Sequence, residues 1–111
     1  MTLLYLNSDQ MGVGDPVLGR KLLKSFLSEI AKSDLKVDIV GCVNSAINLT
    51  TEGSDVLDSL KALESRGARI ASCGTCLDHY DKREQLLVGE IGTMDMTVAV
   101  MGSADKVIRP C

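Results

Sequence analysis

The stretch Ala68-Arg69-Ile70-Ala71-Ser72-Cys73-Gly74-Thr75-Cys76-Leu77-Asp78-His79 decides how this chain is read: it carries a short strand directly into a helix and sets a Cys-x-x-Cys pair at the junction. Ala68 to Ala71 form the strand, whose end presents Cys73 at a loop. Leu77, Tyr80 and the charged residues around them start a short helix. Cys73 and Cys76 then lie near the positive end of that helix, where the macrodipole and free backbone N–H groups stabilise a thiolate. Both thiols are expected to be more acidic than free cysteine.

Strands and helices continue to alternate on either side. Leu3-Leu4-Tyr5-Leu6 is a near-continuous apolar run ending in Asn7-Ser8-Asp9, the pattern of a strand buried on both faces. After Gly12-Val13-Gly14, Asp15 as N-cap and Pro16 at the first helical position start a helix that runs to about Ser33. Its apolar face is Val17, Leu18, Leu22, Leu23, Phe26, Leu27 and Ile30, spaced by threes and fours. Lys36 to Val43 is the next strand, closed by Asn44-Ser45. Val56, Leu57, Leu60 and Leu63 mark a second helix, which Gly67 stops. Beyond the cysteine pair, Gln85-Leu86-Leu87-Val88 reads as a short strand and Gly89-Glu90-Ile91-Gly92 as a loop. Thr93 caps a helix containing Met94, Val98 and Met101, and Lys106 to Arg109 is a last strand.

This alternation predicts an α/β fold with a parallel sheet, helices on both faces and right-handed crossovers. Ligands in such sheets bind at the carboxyl ends of the strands. Cys42, Cys73, Cys76 and Cys111 are all expected at that edge.

The 111 residues, 45% of them hydrophobic, form one core and one domain, residues 1–111. A net charge of −3 with interspersed Lys and Arg excludes a nucleic-acid footprint. No apolar run approaches the roughly 20 residues of a membrane span, and Asn7-Ser8-Asp9 comes too soon for a signal peptide, so a cytoplasmic location is expected. In a reducing compartment the four cysteines are catalytic, metal-binding or buried rather than structural staples.

For Cys73 and Cys76 the functional reading is a nucleophilic thiolate with a resolving or supporting thiol. The competing readings are a metal site, with His79 and either Cys42 or Cys111 completing the set, and simple packing. His79, the only histidine, is a candidate proton donor or base, or else a solvent-facing residue. Cys42 is either a supporting thiol or a buried strand residue. Cys111 is a tail thiol that reaches the site or a terminus without a role. Asn44, Thr50, Thr51 and Ser54 are read as loop and cap residues ahead of ligand contacts. Met94, Met96 and Met101 suit a core or a subunit interface. Gly12-Val13-Gly14 with Gly19 misses the dinucleotide fingerprint, and Asp15-Pro16 would repel a phosphate.

Several segments together resemble the DsrE-like half of the YedF proteins. They are Gly12-x-Gly14-Asp15 running into Leu18-Gly19, Asn44-Ser45 through Leu49-Thr50-Thr51-Glu52-Gly53-Ser54, Ser72-Cys73-Gly74-Thr75-Cys76-Leu77-Asp78, Val88-Gly89-Glu90, and Ala104 through Arg109. The resemblance implies a three-layer α/β/α fold with a five-stranded, mostly parallel sheet. It also implies a persulfide carried on a cysteine just after the third strand, the position of Cys73. No cofactor and no metal are expected. Assembly into a homotrimer or homohexamer and a link to selenium metabolism are further implications. A YedF chain carries a TusA-like domain ahead of this one, whereas this sequence starts directly at the DsrE-like strand. A separate TusA-like sulfur carrier protein or a cysteine desulfurase is therefore the expected donor or acceptor.

Overall fold

A computed structural model describes all residues, Met1 to Cys111. Its strands are β1 (Thr2–Leu6), β2 (Ile39–Cys42), β3 (Arg69–Cys73), β4 (Glu90–Gly92) and β5 (Lys106–Ile108), and its helices α1 (Pro16–Lys32), α2 (Leu57–Ser65), α3 (Gly74–His79) and α4 (Met94–Ser103). The strands form one sheet in the order β4-β3-β2-β1-β5, and every pairing in it is parallel.

The helix boundaries follow from local chemistry. Asp15 accepts from the N–H groups of Val17 at 2.8 Å and Leu18 at 3.3 Å, satisfying two free donors of the first turn of α1. Gly67, with φ of +104°, ends α2 in the left-handed region that glycine enters without strain.

Strand alternation divides the sheet into two unlike faces. Leu4, Leu6, Val40, Cys42 and Ile70 point to one side and pack with Leu23 and Leu27 of α1 and Leu60 and Leu63 of α2. This is the core. Leu3, Tyr5, Ile39, Gly41, Arg69 and Ala71 face the other side, where α4 alone crosses. No residue of α4 is buried: Val98 keeps 64% of its surface and Met94 54%. The layers are three, as expected, but the second helical layer is a single short helix.

Two sequence expectations shift. The segment expected as a strand, Gln85 to Val88, does not join the sheet, and the expected loop supplies β4 at Glu90–Gly92. Gln85 and Leu87 instead bond to the distant Thr50–Glu52 segment: Glu52 N–H to the Gln85 carbonyl at 3.0 Å and Leu87 N–H to the Thr50 carbonyl at 2.9 Å. The apolar pattern was right, but its backbone partners lay outside the sheet. Gly89 then lets the chain pass against β3. Its φ is +77°, and an added Cβ would come within 2.4 Å of the Ile70 carbonyl oxygen. The second shift is in β2, whose ladder begins at Ile39 rather than Lys36. No helix is long and apolar enough to cross a membrane.

Candidate functional site

At the carboxyl end of the central strands, β3 extends two residues beyond its predicted end, so that Cys73 is its last residue and also the N-cap of α3. Cys76 sits in the first turn of that helix. Cys73 retains 9% of its surface, and Cys76 is half-buried.

Their ionisation is driven in opposite directions. Burial opposes the charge on Cys73, but the Cys76 N–H, the Cys76 thiol and the N–H and hydroxyl of Thr75 together overcome it, and the Cys73 thiol is lowered from its ordinary value. Cys76 is raised, first by burial, then by its hydrogen bond and charge coupling to Cys73, against the pull of the Asn44 N–H. That N–H lies 3.1 Å from the Cys76 sulfur. The expectation that both thiols are more acidic than free cysteine is thus corrected: Cys73 is shifted toward the thiolate, and Cys76 is shifted the other way, toward the thiol.

Asn44 acts here through its main chain. It follows β2 in the left-handed region, with φ of +55°, and opens a 3₁₀ turn at Asn44–Leu49. Asn tolerates this conformation better than most residues. The turn is anchored beneath the site by hydroxyls. Thr50 Oγ1 and Ser72 Oγ lie 2.7 Å apart, and both Thr50 and Thr51 donate to the Ile47 carbonyl, at 3.1 and 3.0 Å. All three hydroxyl residues are fully buried. The residues read from sequence as loop and cap groups thus include two that tie the turn to itself and to β3, one residue before Cys73. The signal was the Thr50-Thr51 pair, two hydroxyls flanked by apolar Leu49 in a segment with no helix to cap.

Arg83 holds α3 from outside. Its guanidinium donates to both carboxylate oxygens of Asp78, at 2.7 and 3.0 Å, and approaches the Gly74 carbonyl at 3.4 Å. This fork holds the Asp78 carboxyl below its usual range. Sequence reading did not single out Arg83.

None of the remaining candidates hydrogen-bonds to the thiol pair, although Cys42 is in register with Ser72 and borders the same cleft as Cys73. His79 ends α3, exposed, with its ring edge-on to Tyr80 at 5.1 Å, and has no hydrogen bond to either thiol. Cys42 keeps 1% of its surface, and burial, reinforced by the neighbouring Cys111, pushes its thiol up to about 12. Cys111 packs half-buried against the core, its sulfur 3.7 Å from the Ser8 carbonyl. All four cysteines are free. No three His, Cys, Asp or Glu side chains converge closely enough to hold a metal ion.

A cleft of about 90 Å³ opens between the sheet and α4, and Cys73 lines it. Small residues of successive strands, Gly41, Ala71 and Gly92, make its floor, with Tyr5, Ile39 and Val43 beside them and Met96, Thr97 and Val100 of α4 above. At the opposite end of β3 from Cys73, Arg69 and Glu90 close an ion pair at 2.6 Å.

This architecture is the DsrE-like α/β fold. The ychN protein from E. coli shares it, with 19% identity, a TM-score of 0.67 and 97% of each chain covered. So does MTH1491 from Methanobacterium thermoautotrophicum, a protein of unknown function, with 18% identity, a TM-score of 0.67, 98% of this chain covered and 97% of that one. No family profile matches the sequence, and neither does any curated protein.

Proposed function

We propose that this protein is a sulfur relay component, of the kind its YedF-like segments imply, in which Cys73 carries a persulfide. The observation that supports this reading is the asymmetry of the thiol pair: Cys73 caps α3 and is lowered by the N–H groups and side chains of Thr75 and Cys76, whereas Cys76, held by the Asn44 N–H at 3.1 Å, is raised. The Cys73 thiolate attacks the terminal sulfur of a donor persulfide, R–S–SH. A Cys73 S–S bond forms, the donor S–S bond breaks, and R–S⁻ departs and takes up a proton. An acceptor thiolate then attacks the outer sulfur and releases Cys73 as thiolate. The step is a transfer without net oxidation and needs no cofactor. Cys76, as a hydrogen-bond donor with a raised pKa, shields the persulfide more readily than it resolves it. A TusA-like carrier or a cysteine desulfurase is the partner class that suits this chemistry, and selenium in place of sulfur follows the same steps.

The exposed helix α4 supports assembly with further copies, and the YedF-like segments imply that the assembly is a homotrimer or homohexamer. Apart from Asp95 the helix carries no charge, its exposed side chains include Met94, Met96, Val98 and Met101, and none of its side chains is buried within the chain.

Intact mass and peptide mapping after incubation with a persulfide donor test the relay. Sulfur retained on Cys73 and lost in Cys73→Ser is the expected result. A Cys73–Cys76 disulfide with no retained sulfur would instead make this a dithiol redox protein, and cysteines that take up nothing would point to a binding module.

A further inference from the structure

Cys73 is nearly enclosed, yet it borders a cleft whose shape and lining are unlike those of a protein-docking surface. The floor is made of residues with little or no side chain, and the flanking groups are apolar. At about 90 Å³ the cleft is far smaller than the roughly 300 Å³ at which pockets for drug-sized ligands begin, and it excludes a folded loop. It does suit a body of a few carbon atoms. Its only ion pair, Arg69 with Glu90, is self-neutralised, so nothing there selects an anionic or cationic tail.

From these features we infer that the cleft is the binding site of the sulfur donor, a low-molecular-weight organic persulfide with an uncharged, apolar body. The inference rests on the relay reading and narrows it: sulfur arrives on a small molecule, and a protein partner serves as acceptor. The apolar body lies along Gly41 and Ala71 beneath Val100, and its terminal sulfur meets Cys73. The thiolate attacks that sulfur, the donor S–S bond breaks, and the organic thiolate leaves and is protonated.

A series of n-alkyl methanethiosulfonates, methyl to hexyl, probes the cleft independently of sulfur transfer. In each, the Cys73 thiolate attacks the alkyl-bearing sulfur, a mixed disulfide forms and methanesulfinate leaves. The rate at Cys73, followed by peptide mapping, is expected to rise roughly fourfold per methylene until the cleft is full. Sulfonatoethyl and trimethylammonioethyl reagents fall below the butyl reagent by roughly tenfold or more. Gly41→Val fills the floor without backbone strain, since a Cβ there meets only Leu3 and Tyr5 side chains at 3.8 and 3.9 Å. It and Val100→Phe, made on the opposite wall, should each flatten the series, lowering the rates of the longer reagents relative to the methyl one. A flat series in the unsubstituted protein, or a slope that both variants leave intact, overturns the inference. The two readings also fail separately. Sulfur accepted by Cys73 without a chain-length slope leaves the relay standing and removes the cleft's role; a slope without retained sulfur leaves the cleft a ligand site and removes the relay.

Discussion

The backbone N–H of Asn44 points at the sulfur of Cys76 from 3.1 Å, so that the turn after β2 holds the second thiol of the pair that begins at the last residue of β3. The two cysteines are therefore not equivalent: Cys73 is served by α3, and Cys76 is served by a different loop.

Removing either thiol should move the other in an opposite direction. Cys76→Ala takes a hydrogen-bond donor from Cys73, whose alkylation midpoint rises toward the ordinary value of 9.0. Its alkylation rate near neutral pH then falls roughly threefold to tenfold. In Cys73→Ala, Cys76 loses the partner that raised it and titrates lower than before. Iodoacetamide rate against pH, read at each cysteine by mass spectrometry, reports both. Unchanged midpoints would mean that the thiols do not interact.

Cys42 should make the fold sensitive to alkali. Its thiol is raised from 9.0 to about 12 in the folded chain, so the unfolded chain loses this proton first. The stabilisation is complete below pH 9.0 and is lost as pH rises toward 12, by about 1.4 kcal/mol for each unit crossed. Cys42→Ala leaves a small cavity, which costs about 1–2 kcal/mol at neutral pH. Urea unfolding should show that deficit shrinking above pH 9.0 and changing sign before about 12. A deficit constant with pH would show that Cys42 does not titrate in this way.

Thr50 and Ser72 should behave as a unit. Thr50→Val keeps the volume and strands the Ser72 hydroxyl without its partner, at about 1–3 kcal/mol. Adding Ser72→Ala costs less than the two single changes together, with a coupling of about 1 kcal/mol in a double-mutant cycle. Strict additivity would mean that the 2.7 Å contact is not a stabilising hydrogen bond.

Assembly, as proposed, depends on α4. Val98→Glu, at a position 64% exposed in the single chain, should leave the circular dichroism spectrum intact and reduce the sedimenting mass to that of a monomer. A parent protein that already sediments as a monomer would remove the proposal.

How far the sequence could be read differs between elements for physical reasons. Asp15-Pro16 announced its helix because capping is local: the donors and the acceptor lie within three residues. Cys73 and Cys76 were visible for the same reason. Gln85 to Val88 misled because its apolar residues reveal burial but not which backbone they bond, and Thr50 and Glu52 sit far away in sequence. The expected acidity of Cys76 failed likewise. Helix proximity could be read from four residues, whereas the burial and the proton shared with Cys73 exist only once the turn at Asn44 is folded. Arg83 carries no motif at all, and only the fold brings its fork to Asp78.

The strand order has a last consequence, for motion. β5 pairs with β1 across almost the whole length of the chain, and α4, which leads into it, buries no side chain. Loop-closure entropy works against such a distant pairing, while the neighbouring strands are joined by much shorter connections. In the single chain the α4–β5 unit is therefore expected to open readily, its amides exchanging with deuterium ahead of those of β2 and β3, and covering of α4 by a second copy should slow that exchange. Since α4 roofs the cleft, the same fluctuation would regulate how often Cys73 is uncovered.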